Sequence, residues 1–125
     1  MGLNALAKAN YLNLVTYRNS GVEVATPVWF AEQGGDFYIF SEGLSGKVKR
    51  LRNSGKSRIA ACTVTGRPTG EWVDTHTVIL EDAAGKDRAL DLLRRKYGWQ
   101  MRLLDCMSRL GGKIKKRAYL RVTPL

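Results

Sequence analysis

Between residues 11 and 17 apolar and polar side chains alternate with a period of two. Leu12, Leu14 and Thr16 fall on one side, which predicts a strand. Arg18-Asn19-Ser20-Gly21 reads as a turn, and the extended pattern resumes over residues 22–31, so the two runs predict a hairpin. Gln33-Gly34-Gly35-Asp36 turns the chain again into Phe37-Tyr38-Ile39-Phe40, an aromatic and β-branched run that predicts a third strand. Over residues 47–53 the period lengthens. Val48 and Leu51 share one face with Lys47 and Arg50 beside it, the spacing of a helix. Strands follow over residues 57–65 and 72–80, joined by Gly66-Arg67-Pro68-Thr69-Gly70. Residues 86–97 carry Leu90, Leu93 and Tyr97 on one helical stripe, Gly98 interrupts it, and a second helix runs to residue 110 before Gly111-Gly112. A short helix over residues 2–9 opens the chain, and a strand over residues 118–123 closes it. This order predicts a mainly β, α+β architecture: a six-stranded antiparallel barrel with peripheral helices.

A chain of 125 residues has enough material for one hydrophobic core, so residues 1–125 are expected to form a single domain. With 44% hydrophobic and 26% charged residues the composition is that of a folded protein. No apolar run approaches the roughly 18 residues that span a bilayer, and residues 1–10 lack the apolar stretch of a secretory signal. Cys62 and Cys106 are far apart in sequence, which supports neither a disulfide scaffold nor a paired-cysteine zinc site, so a reduced, cytoplasmic setting away from membranes is expected.

The formal net charge of +10 is concentrated in two blocks. Lys47, Lys49, Arg50, Arg52, Lys56 and Arg58 follow one another without an acid, and residues 86–125 hold most of the other bases. Such a field attracts polyanions: nucleic acid, an anionic surface or a phosphorylated cofactor. Catalytic signatures are few. Gly43-Leu44-Ser45-Gly46-Lys47 has the wrong glycine spacing for a phosphate-binding P-loop, and valine follows its lysine. His76 is the single histidine and cannot anchor a metal unaided. Cys62 has no histidine nearby in sequence, and a small buried apolar residue is the simpler reading of it. No pair of acids suggests general acid–base work, so reactive chemistry would belong to a cofactor.

Residues 41–47 lead from a strand into a helix, whose first turn leaves backbone N–H groups without partners. These donors and the helix dipole favour an anion by roughly 0.3–1 kcal/mol per exposed charge. Lys47 opposes the dipole there, and a bound phosphate would remove the conflict. Arg50 lies one turn on, within reach of the same anion, while Lys49 and Arg52 broaden the field. The alternative is a solvated basic helix. Pro27 cannot donate to a sheet ladder, so it belongs on an edge strand. Trp29 fits core packing or a pocket wall, packing being the favoured reading.

Taken in order, Ala25-Thr26-Pro27-Val28-Trp29-Phe30, Phe37-Tyr38-Ile39-Phe40-Ser41, Ser45-Gly46-Lys47-Val48-Lys49-Arg50-Leu51-Arg52 and Gly66-Arg67-Pro68-Thr69-Gly70-Glu71-Trp72-Val73 resemble the pyridoxamine 5'-phosphate oxidase-like (PPOX class) split β-barrel family. Within it they resemble the branch of probable F420 (deazaflavin)-dependent enzymes, and the likeness extends to Lys96-Tyr97-Gly98 and the final strand. The resemblance implies an FMN-binding-type split barrel, a homodimer, and flavin or deazaflavin held in two clefts between subunits. It places Thr26, Pro27, Val28 and Trp29 along the ring, and Ser41, Ser45, Gly46, Lys47 and Arg50 around the phosphate. It also puts Cys62 and Trp72 in the pocket, although an amide is usual where Trp72 stands, so this ring would stack on the cofactor or plug the barrel. Ala25 replaces an arginine of the ordinary pyridoxamine-phosphate oxidases.

The implied function is an F420-dependent oxidoreductase moving a hydride between cofactor and a small-molecule substrate, with FMN as the alternative cofactor. The abundant positive charge suits the phosphate and glutamate tail of F420 better. A rival reading makes Arg94, Arg95, Lys96, Arg102, Arg109, Lys113, Lys115, Lys116 and Arg117 a nucleic-acid face. Aromatic residues are not interleaved with these bases as single-strand binding requires. A barrel that binds haem, fatty acid or flavin without turnover is the remaining alternative.

Overall fold

A computed structural model describes residues 6, 9–42, 45–110 and 117–125. The helix expected over residues 2–9, apart from Leu6 and Ala9, falls outside these residues, as do Gly43, Leu44 and the basic run Lys113, Lys115 and Lys116.

The chain forms β1 (Tyr11–Tyr17), β2 (Glu23–Val28), β3 (Phe30–Gln33), β4 (Asp36–Glu42), α1 (Gly46–Asn53), β5 (Lys56–Cys62), β6 (Val73–Leu80), α2 (Ala83–Tyr97), α3 (Trp99–Leu110) and β7 (Arg117–Pro124). All neighbours in the sheet are antiparallel, in the order β2-β1-β5-β6-β7-β4-β3. The expected mainly β split barrel is therefore present, with seven strands rather than six. The difference lies at residues 22–31, which divide at Trp29. Leu12 pairs with Val28 at one edge of the sheet, whereas Phe30 pairs with Ile39 at the other. A single residue thus joins the two edges, and the sheet must curl to allow it.

That curl encloses the core. Val28 from one edge and Phe30 from the other pack into the same buried cluster as Leu12, Leu14, Ile39 and Ile59. Burying each large apolar side chain stabilises the fold by roughly 1.5–3 kcal/mol. Within the sheet the β3–β4 turn consists of Gly34 and Gly35 at φ 62° and 87°, the left-handed conformation that two-residue hairpins demand. The strand expected over 57–65 stops at Cys62, because Gly66 N–H bonds Thr63 C=O at 2.9 Å and turns the chain.

Two helical layers cover the barrel. Val48 and Leu51 turn α1 inward. Helix α2 begins three residues before residue 86, where Asp82 accepts a hydrogen bond from Gly85 N–H at 3.0 Å and caps it. Gly98, at φ 57°, then redirects the chain from α2 into α3. Leu93 and Tyr97 of α2 and Met101 of α3 are buried against Ala31, Trp29 and Phe40. Among the described residues no helix is long and apolar enough to cross a membrane.

Candidate functional site

Where the chain crosses between sheet edges, a cleft of about 360 Å³ opens between the barrel and the helices. Pro27, Val28 and Trp29 form one wall, Phe40 and Ser41 of β4 face them, and Tyr11, Lys47 and Leu104 complete the lining. Pro27 sits on the edge strand β2 as its missing N–H requires, paired with Asn13. Asn13 is buried, and its Nδ2 donates to the Gly66 carbonyl at 2.5 Å, which ties the 63–69 loop beside Pro27.

Trp29 is both packing and pocket wall. Its ring is half-buried, stacks on Tyr97 at 4.3 Å and 9°, and meets Phe40 edge to face at 6.5 Å. Tyr97 is itself locked from the far side. Its hydroxyl accepts from Phe30 N–H at 2.9 Å and lies 2.7 Å from the Asn10 carbonyl and 2.9 Å from that of Phe30. Burial removes water from the phenolate and holds the Tyr97 hydroxyl far above the ordinary tyrosine range, so it remains a donor. The sequence placed Tyr97 on an apolar stripe, and periodicity could not show that its hydroxyl pins the β2–β3 crossover.

The polar end of the cleft lies at the start of α1. Ser45 is the N-cap residue in extended backbone, but its side chain does not cap the helix; its Oγ lies 3.2 Å from Ser41 Oγ. No acid occupies the first turn. Arg50 folds back along the helix, so that a Cβ on Gly46 would stand 2.8 Å from its Nη1, while its Nε donates to Thr16 Oγ1 at 2.7 Å. The absence of a side chain at Gly46 is what admits this guanidinium beside the first turn. Two cations, a hydroxyl pair and the positive end of a helix dipole thus share one corner, an arrangement suited to an anion.

Of the expected residues, Pro27, Val28, Trp29, Ser41 and Lys47 line the cleft. Ser45, Gly46 and Arg50 adjoin it through the contacts just described. Thr26 pairs with Leu14 on β1 and is not part of the lining. Cys62 is buried opposite Tyr11, bridged to Pro68, and burial raises its thiol above the usual range, which suits packing rather than nucleophilic work. Trp72 is 39% exposed with the Arg58 guanidinium 4.8 Å from its ring, outside the lining of its own chain's cleft. Tyr11, Phe40 and Leu104 were not anticipated, and tertiary packing alone brings Leu104 to the site. Among the described residues no cluster of His, Cys, Asp and Glu could hold a metal ion.

No family model matches the chain, and no curated protein matches it. Solved structures do. HutZ, the heme storage protein of Vibrio cholerae, is 12% identical with a TM-score of 0.73 over 98% of this chain and 87% of its own. A candidate pyridoxamine 5'-phosphate oxidase from Listeria innocua is 13% identical with a TM-score of 0.69 over 98% and 89%. A FAD-binding protein from Mesorhizobium loti is 17% identical with a TM-score of 0.65 over 99% and 87%. Likenesses of this kind establish the split-barrel fold.

Proposed function

We propose that the chain is an oxidoreductase whose cleft holds the deazaflavin F420 and passes a hydride between it and a small acceptor. The observation that carries this reading is the continuity of an aromatic slot with an anion-binding corner: Trp29, Phe40 and Pro27 lead to Ser41, Ser45 and Lys47. Similar folds in a FAD-binding protein and a candidate pyridoxamine 5'-phosphate oxidase support a flavin-type ring, and the +10 charge supports a polyanionic tail.

F420, when bound, supplies the hydride chemistry. The protein's residues orient it. Lys47 and Arg50 hold the phosphate, and the rings of Trp29 and Phe40, braced by Tyr97, border a flat molecule and keep water from it. The donor set fits the group, since Ser45 makes no side-chain cap and the first turn of α1 carries Lys47 and, against Gly46, the Arg50 guanidinium, with no acid beside them. Titration with F420 and with FMN at low and moderate salt tests the reading. F420 is expected to bind more tightly and to weaken as salt rises, and tighter FMN binding overturns the choice.

Two further comparisons favour this reading. The heme storage neighbour suggests haem, yet His76, the single histidine, is exposed on β6 and does not line the cleft. Four bases of the rival nucleic-acid face are engaged within the chain: Arg94 and Arg117 bond Asp105, Arg95 pairs with Asp91, and Lys96 bonds the Ala9 carbonyl.

The working unit in this proposal is a homodimer. Trp99, Leu103 and Met107, 72%, 53% and 61% exposed, stand at positions i, i+4 and i+8 of α3, one residue round from cleft-lining Leu104. A second copy covering this stripe would close the cleft, and Trp72 would act across the subunit boundary. Leu103→Glu is therefore expected to convert a dimer to a monomer in light scattering and to weaken cofactor binding. A wild-type monomer refutes the assembly.

A further inference from the structure

Thr16 puts a hydroxyl where the barrel otherwise buries apolar groups. It continues the row of Leu12 and Leu14 on β1, pairs with Val24 of β2 and is 1% exposed. Its Oγ1 accepts from Arg50 Nε at 2.7 Å, which joins β1 to α1. The kind of acceptor matters. Arg52, Arg58, Arg94, Arg95 and Arg117 each lie within ion-pair distance of a carboxylate. No ion pair among the described residues involves Arg50. A carboxylate would hold the guanidinium and neutralise it, whereas a hydroxyl holds it and leaves its charge uncompensated. Because the bond is made through Nε, the Nη groups stay beside the first turn of α1, where Nη1 and Nη2 would stand 2.8 and 3.5 Å from a Cβ on Gly46. The acceptor is itself fixed, since a β-branched side chain is stiff at χ1.

We propose that Thr16 is a positioning residue that makes the cleft prefer a phosphorylated ring to the same ring without phosphate. The inference rests on the cofactor reading above and adds to it the source of that selectivity. An unheld arginine gives up rotamer freedom when it grips an anion, and holding it in advance removes that cost from binding. Phosphate also accepts paired bonds from a guanidinium fork, so the alignment of the Nη groups counts as well as their charge. Thr16 does not line the cleft and acts through Arg50 alone.

The test measures binding of F420, of 5-deazariboflavin (a ring of the same kind with no phosphate) and of inorganic phosphate to the wild type, Thr16→Val and Thr16→Ser. Valine keeps the shape and the burial but offers no acceptor. Thr16→Val should weaken F420 about tenfold, the scale of one charge-assisted hydrogen bond, and leave 5-deazariboflavin within about twofold. Thr16→Ser keeps the hydroxyl and should restore F420 binding. A role in the fold alone would weaken both ring compounds together. Equal losses, an unchanged affinity for F420, or serine behaving as valine overturns the proposal.

One measurement needs no variant at Thr16. In the wild type the Arg50 Nε–H signal, identified by NMR through its loss in Arg50→Lys, should shift saturably as inorganic phosphate is added. No shift overturns the proposal. If phosphate moves that signal but F420 does not bind, the cofactor assignment fails by itself. Thr16→Val must then still weaken phosphate binding for the role of Thr16 to stand.

Discussion

Replacing Asp105 by alanine will lower the free energy of unfolding by about 3–5 kcal/mol, the range for a broken buried ion pair. Asp105 is 5% exposed and is shared by two arginines from different elements: Arg117 of β7 at 2.7 Å and Arg94 of α2 at 2.8 Å. The Arg117 side chain is also only 5% exposed, so the substitution takes the carboxylate away from a desolvated guanidinium and leaves a new cavity beside it. Arg94 is 40% exposed and loses less, because water can replace the carboxylate. Urea unfolding at neutral pH measures the effect, and a loss below about 1 kcal/mol would contradict it. The pair is costly to split but not costly to remove. Converting Asp105 to leucine and Arg117 to methionine together should recover much of the lost stability, as burial without charge avoids the desolvation penalty. The same network reaches the cleft: Arg117 lies 4.8 Å from the Phe40 ring and donates to the Leu104 carbonyl at 3.4 Å. Asp105→Ala is therefore expected to weaken cofactor binding as well.

What could be read from the chain and what could not divides by the range of the interaction. Helix α1 was legible because Val48 and Leu51 lie one turn apart, and the α2–α3 break because Gly98 is a local signal. The boundary between β2 and β3 was hidden. Residues 22–31 read as one extended run, and only the long-range partners, Leu12 for Val28 and Ile39 for Phe30, divide it at Trp29. The site follows the same rule. Pro27 and Lys47 were visible because a missing donor on an edge strand and a base at a helix start are local conflicts that call for an explanation. Leu104 and the hydroxyl of Tyr97 were not, since nothing within a few residues shows that α3 reaches the cleft or that residues 30 and 97 meet. Trp72 has its ring 4.8 Å from the Arg58 guanidinium in its own chain, a contact between residues 14 apart that no local pattern announces.

Substitutions at the start of α1 should separate binding from stability. On the proposed reading Lys47→Ala removes a charge-assisted contact to phosphate, worth roughly 1.5–3 kcal/mol, so affinity for F420 is expected to fall about 10- to 150-fold. Unfolding stability, measured alongside, reports any part that the half-buried Lys47 plays in the fold. Gly46→Ala is the sharper experiment. Alanine is the better helix former by up to about 1 kcal/mol, which favours the folded state. Yet the new Cβ would stand 2.8 Å from Arg50 Nη1, and the guanidinium, as the mobile end of a long side chain, must move away from the first turn. Thr16 Oγ1 would keep its hold on Nε only if the swing is small. The expected result is unchanged or higher unfolding stability with affinity lowered by about tenfold or more. If affinity survives both substitutions, the anion is held elsewhere and the basic face of α1 is merely solvated. If stability collapses with Lys47→Ala, the lysine's role is in the fold. A loss of binding with the fold intact, diminishing as salt rises, is the pattern expected of an electrostatic grip on the cofactor's anionic groups.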